Sequence, residues 1–219
     1  LSATKGLVNN IKLVIFDLDG TIVDAYGAIS RSFNYALKKL GLEAEDHLTI
    51  RRAVGWGDKQ LLSPFVEKKD LVKALLLYRN HHKIALLKYS RLFPNVKYVL
   101  RYLKEKGYKL AVASNRPTKF SLILIRHLGI EKYFNYWLCA DKLKHGKPNP
   151  EILRRIIRKF SLKPKQALYV GDMALDAQAG RRAGISTIIV ATGSSRLTEI
   201  KKEKPALVIR EVLELLEVL

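Results

Sequence analysis

Ile11-Lys-Leu-Val-Ile-Phe16-Asp17-Leu-Asp19-Gly-Thr21 is an apolar run that ends abruptly in two carboxylates, one residue apart. A short continuous apolar run reads as a strand buried on both faces. Four similar runs follow: Lys109–Ala113, Ala167–Val170, Ser186–Val190 and Ala206–Ile209, with Tyr136–Cys139 as a further candidate. Between them lie helical patterns. Val96, Val99, Leu100 and Leu103 form one stripe before Gly107, and Ile152, Leu153, Ile156, Ile157 and Phe160 form another behind Pro150. Glu211–Leu219 reads as a closing helix. Strands alternating with helices predict an α/β fold: a Rossmann-like, doubly wound parallel sheet.

One region breaks the alternation. From Asp24 to Phe93 only helical patterns occur, with stripes at Ile29, Phe33, Ala36, Leu37 and Leu40, then at Leu71, Val72, Leu75 and Leu76. A crossover between parallel strands needs far fewer residues. The division expected is therefore a core of residues 1–23 and 94–219 with an inserted α-helical cap of residues 24–93.

Composition narrows the function. The chain has 219 residues with 48% apolar content, enough for a sizeable core. Lys and Arg number 40 against 20 Asp and Glu, a formal charge of +20, which suits anionic partners or substrates. A single cysteine, Cys139, excludes an internal disulfide framework and reads as a small core residue in a reducing, cytoplasmic setting. No apolar run approaches a membrane span, and Leu1–Asn10 carries no pattern of a secretory leader.

In an open parallel sheet, ligands bind beyond the carboxyl ends of the strands. The groups there are Asp17 and Asp19, then Ser114-Asn115, then Lys147 in a loop, then Gly171-Asp172 with Asp176. Mg²⁺ takes oxygen ligands, commonly one or two carboxylates plus substrate phosphate, and Asp17 and Asp172 suit it. A carboxylate can also attack phosphorus, and a second one two residues on can act as acid and then base. Ser114 and Lys147 can hold phosphoryl oxygens.

These residues resemble the motifs of the haloacid dehalogenase-like phosphohydrolases. Asp17-Leu-Asp19-Gly-Thr21-Ile-Val-Asp24 is similar to the first motif, Ser114 to the second, Lys147 to the third, and Gly171-Asp172 with Asp176 to the fourth. The resemblance implies Asp17 as nucleophile, Asp19 as acid and base, and Lys147 as a catalytic and phosphate-holding group. It implies Mg²⁺ on Asp17, Asp172 and the Asp19 carbonyl, with Asp176 as ligand or as support behind the ligands. Thr21, Ser114 and Asn115 join Lys147 as expected substrate-binding residues. Phe93-Pro94-Asn95 resembles the return from the cap, with Asn95 where relatives usually carry Gly.

Asp19 argues against the dehalogenases and phosphonate-cleaving members, which lack that carboxylate. Ile29, where the mutases carry His, argues against that group. Val54-Gly55-Trp56-Gly57 resembles the substrate loop of the phosphoglycolate phosphatases, with Gly55 and Gly57 letting backbone approach a small organic group. The implied function is Mg²⁺-dependent hydrolysis of a small phosphorylated metabolite, with 2-phosphoglycolate as the leading substrate. Pyrophosphatase and 5′-nucleotidase are the near alternatives. Nucleic-acid binding on the same scaffold is the distant one, opposed by the intact acids and by the absence of basic runs interleaved with aromatics. Monomer and homodimer stay open. His81-His82 and the Arg154–Lys159 cations read as solvated faces. Arg51-Arg52 read either as a clamp for substrate or as surface residues.

Overall fold

A computed structural model of the chain describes residues 10–219; residues 1–9, which the sequence gives to the core, lie outside it. Strands β1 (Leu13–Phe16), β4 (Lys109–Ser114), β5 (Tyr136–Cys139), β6 (Ala167–Gly171), β7 (Ser186–Val190) and β8 (Leu207–Ile209) form one parallel sheet in the order β5-β4-β1-β6-β7-β8. All four residues of β1 are fully buried, because helices cover both sides. Val14 and Phe16 face a cluster with α5 (Val96–Glu105) and α6 (Thr118–His127). Leu13 and Ile15 face the other, with α7 (Glu151–Lys159) and α8 (Ala174–Ala183). That two-sided division is the doubly wound α/β arrangement.

Residues 24–93 are mainly helical: α1 (Tyr26–Lys39), α2 (His47–Ala53), α3 (Asp58–Leu62) and α4 (Leu71–Tyr89). The purely helical expectation is corrected at both ends. Strand β2 (Val23–Asp24) pairs antiparallel with β3 (Arg91–Leu92), joining the outgoing and returning chain. The buried face of α4 also differs from the expected stripe. Ala74, Tyr78, His82, Ala85 and Leu86 face inward, while Val72 and Leu76 are exposed. The chain closes with a 3₁₀ helix over Val212–Glu217, not an α-helix. Its fully packed residues, Val212 and Leu215, are three apart, the 3₁₀ repeat. Asn95 has φ 62°, a left-handed conformation that Asn tolerates better than other non-glycine residues, so it can stand where relatives carry Gly.

Candidate active site

β1 pairs with β4 on one side and β6 on the other, with Phe16 level with Val112 and Val170. Parallel strands in this register end together. The residues just after them therefore meet at one edge: Asp17 and Asp19, Ser114 to Arg116, and Asp172.

Asp17 is almost buried, and the Lys147 ammonium lies 2.9 Å from its Oδ1. Lys147 is also 2.7 Å from Asp176 Oδ1 and donates to the Tyr169 hydroxyl at 2.9 Å, while that hydroxyl donates to Asp176 at 2.6 Å. The second Asp176 oxygen accepts from the Asp172 and Met173 amides. Asp176 is thus engaged at both oxygens and braces Lys147 and the loop after β6. Burial alone would push the Lys147 amine down, but Asp17 and Asp176 override it and hold the ammonium charged. One cation cannot offset all these acids. Asp17 is pushed up to about 7, chiefly by burial, despite Lys147. Asp172 is raised well above the carboxylate range by burial, then by Asp176 and Asp17.

Two observations show that these acids fit a small hard cation. One ligand atom each of Asp17, Asp172 and Asp176 lies within 4.8 Å of the others. Asp172 Oδ1 accepts from Thr21 at 2.8 Å, but its Oδ2 is buried without a hydrogen-bond partner among the described residues. A Cβ on Gly20 or Gly193 would stand 2.2 or 2.1 Å from that oxygen, so both glycines keep the space beside it open. The buried Tyr26 hydroxyl, also without a partner, lies 2.6 Å from the same Gly20 position. An unbalanced cluster of acids around an orphaned oxygen is the environment a Mg²⁺ ion would stabilise.

Asp17, Asp19, Ser114 and Asn115 line a cavity of about 50 Å³ between the sheet edge and the helical insertion. Gly55 and Gly57 line it too, at φ 121° and 94°. Their close neighbours are core atoms: a Cβ would come 2.6 Å from Met173 Sδ at Gly55 and 3.3 Å from the Asn115 carbonyl at Gly57. These glycines therefore let the loop settle on the core. Asn115 ties the parts together, donating to the Gly55 and Lys147 carbonyls at 2.8 and 3.0 Å and accepting from the Lys147 amide at 2.7 Å. Ser114 accepts from the Arg116 amide. Thr21 is spent on Asp172, away from the cavity wall.

Arg52 is a surface residue, as one of its two readings had it, and both arginines also reach across to the core. Arg51 donates to the Thr192 and Gly193 carbonyls at 2.9 and 3.1 Å, and Arg52 to the Ser194 carbonyl and, at 2.7 Å, to Glu199. Both clasp the cap to the core. The solvated reading of His81-His82 fails at His82, which is 1% exposed, because Arg116 supplies a buried partner. Sequence reading missed Arg116, which forks onto Asp19 with N–O distances of 2.8 and 2.6 Å. It also missed Tyr169; a tyrosine inside a wholly buried strand needs a partner for its hydroxyl, and that was the available signal.

Comparison with known proteins agrees with this geometry. Residues 14–190 match the family model of the haloacid dehalogenase-like hydrolases. The phosphoglycolate phosphatase of Haemophilus influenzae strain KW20 is 34% identical over 95% of this chain and 98% of its own length. That of Aquifex aeolicus is 31% identical over 85% and 88%. The crystal structure of a predicted phosphoglycolate phosphatase from Haemophilus somnus 129pt superposes with a TM-score of 0.90 at 29% identity, over 96% of this chain and 98% of that one. The chain belongs to the haloacid dehalogenase-like hydrolase family and is a phosphoric monoester hydrolase within it.

Proposed function

We propose that the protein hydrolyses a small phosphate monoester, 2-phosphoglycolate first among them, through an aspartyl-phosphate on Asp17 with Mg²⁺ as cofactor. The observation that carries this reading is the pair of carboxylates facing one small cavity, one of them, Asp17, in contact with Lys147 at 2.9 Å. Asp17 attacks phosphorus. As its Oδ–P bond forms, the bond from phosphorus to the ester oxygen breaks, and protonated Asp19 gives its proton to that oxygen. The alcohol leaves. Asp19, now a carboxylate, takes a proton from water, whose oxygen attacks the acyl-phosphate and releases inorganic phosphate and Asp17. Lys147 keeps Asp17 oriented and offsets phosphoryl charge, and the Ser114 hydroxyl can hold a phosphoryl oxygen, whereas the Asn115 side chain is already taken up by the Gly55 and Lys147 backbone. Asp17, the Asp19 carbonyl and Asp172 would hold Mg²⁺, which when bound would offset the charge of those acids and of the phosphate, and Asp176 is the brace behind them.

Residues 24–93 act as a cap that excludes water from the phosphoryl group. The small cavity favours a short leaving group over a nucleoside or an oligonucleotide. The curated relatives named above carry phosphoglycolate in their names, which supports the same substrate. The test is a comparison of kcat/KM on 2-phosphoglycolate, pyrophosphate, a 5′-nucleotide, a sugar phosphate and a 5′-phosphorylated oligonucleotide, with Mg²⁺ and in excess chelator. We expect 2-phosphoglycolate to lead and chelator to abolish turnover. Preference for pyrophosphate or the nucleotide would overturn the substrate; full activity in chelator would overturn the metal.

A further inference from the structure

The strongest unassigned group is Arg116. Its side chain is 6% exposed, and among the described residues it is the one cation lining the cavity. Its Nε and one terminal nitrogen grip both Asp19 oxygens. Its other terminal nitrogen meets His82 Nε2 at 2.7 Å. His82 belongs to α4 of the cap, stacked on Tyr78 with ring centroids 4.8 Å apart and edge-on to Phe120 at 5.4 Å.

The hydrogen-bond order behind His82 is determined. The Ser32 hydroxyl donates to the Ala28 carbonyl at 2.8 Å, so its only proton is used. At 3.1 Å from Ser32 Oγ, His82 Nδ1 must then be the donor, which leaves Nε2 as a bare acceptor for Arg116. Burial and the adjacent guanidinium also push His82 well below the usual histidine range and keep it neutral. The cap therefore aims Arg116 without neutralising it. Only carboxylates offset its charge, and Asp19 is the one it holds.

A second carboxylate matches the same planar fork, so it can replace the first at little cost. We propose that Arg116 is the specificity-determining residue. It takes the carboxylate borne by the leaving group of the substrate. His82 and Ser32 are positioning residues that hold the fork at the cavity wall. A phosphate ester without a second anion gives the fork nothing to grip and turns over slowly. This inference rests on the phosphatase reading above and names how that site selects its substrate.

The test compares 2-phosphoglycolate with 2-hydroxyethyl phosphate, which has an uncharged hydroxymethyl in place of the carboxylate. We expect the wild-type kcat/KM ratio to favour the carboxylate by about 10³, since a site built around a buried polar partner rejects the analogue lacking it. In Arg116→Gln the ratio should fall to within about tenfold, with Arg116→Lys intermediate because it keeps the charge and loses the fork. His82→Phe should raise KM for 2-phosphoglycolate more than it lowers kcat, because binding must first position the freed guanidinium. A partly misfolded variant loses both rates equally and leaves the ratio unmoved, so the ratio reads selectivity alone. Turnover of 2-phosphoglycolate with a wild-type ratio near one, or a ratio that survives in Arg116→Gln, overturns this inference and spares the phosphatase reading. Turnover of other esters with none of 2-phosphoglycolate overturns both.

Discussion

The floor of the cavity and its roof are built differently. The floor is a set of acids and one lysine gathered at the sheet edge, with Asp17 and Asp19 just after β1, Asp172 just after β6, Asp176 in the first turn of α8 and Lys147 in the loop between β5 and α7. The roof is assembled from residues far apart in the chain: Arg116 on His82, Asn115 on Gly55, and Arg51 and Arg52 on residues 192–194. The floor is mostly buried and overloaded with negative charge. The roof is held mostly by side chains reaching across to backbone carbonyls, several of them partly exposed. Chemistry should thus fail when the floor is altered, whereas selectivity and closure should fail when the roof is.

The largest effect is expected at Asp17. Asp17→Asn keeps the volume and removes the attacking oxygen, so turnover should drop by about 10⁴-fold or more. The same change removes one of the crowded acids, so thermal unfolding should be unchanged or shifted upward. Near-native turnover in a steady-state assay would remove the covalent step from the floor. Lys147→Met should lower turnover and also cost the fold. It leaves Asp17 and Asp176 without their shared cation, and breaking a buried pair from one side costs about 3–5 kcal/mol. Urea unfolding should report that loss, and a loss under about 1 kcal/mol would mean the floor is not held by Lys147.

The charge imbalance also sets a pH dependence. The Asp17 pKa in the metal-free fold is about 7, and Asp172 is raised as well, both above the unfolded value. A raised acid binds its proton more tightly when folded, so its contribution is favourable at low pH and is lost as pH rises from about 4 through 7. The acids lowered by surface contacts, Asp46, Glu199 and Glu203, finish titrating below that range. His82 and His81, lowered by burial, act in the opposite sense below about pH 6.5, so it is above that pH that the metal-free protein should lose stability as pH rises. Asp172→Asn should blunt the slope, and saturating Mg²⁺ should flatten it. A profile that rises across this window in chelator would show that the floor acids are ionised and satisfied without metal.

The same division explains what was legible in the sequence. An apolar run closed by Asp17 and Asp19 carries its own geometry, because a buried strand must end at the sheet edge and its next residues must face it. Asp172 and Lys147 followed from the same rule applied to other strands and loops. His82 did not, since its neighbours in sequence look like an exposed helix and only the fold brings Arg116 to it. The α4 stripe misled for a related reason: packing turned Tyr78 and His82 inward and left Val72 and Leu76 outside. Gly55 and Gly57 were found, but their tight contacts are with Met173 and Asn115, partners that spacing does not reveal.

The smallest effect should come from Arg52, which separates the clasp from the chemistry. Its partner Glu199 is 39% exposed and Arg52 itself 43%, so solvent screens their attraction. Exposed pairs of this kind contribute little to stability, and Arg52→Ala should lower the melting temperature by no more than about 3 °C. Arg51 lies over the Tyr26 ring at 4.5 Å and donates to the carbonyl of Gly193, beside the orphaned Asp172 oxygen. Arg51→Ala should therefore cost more than Arg52→Ala and should also weaken the metal response, read as a higher Mg²⁺ concentration for half-maximal thermal protection. Equal losses in the two variants, with no change in that concentration, would mean that the clasp acts as one unit and that the cap reaches the floor only through Asn115 and Arg116.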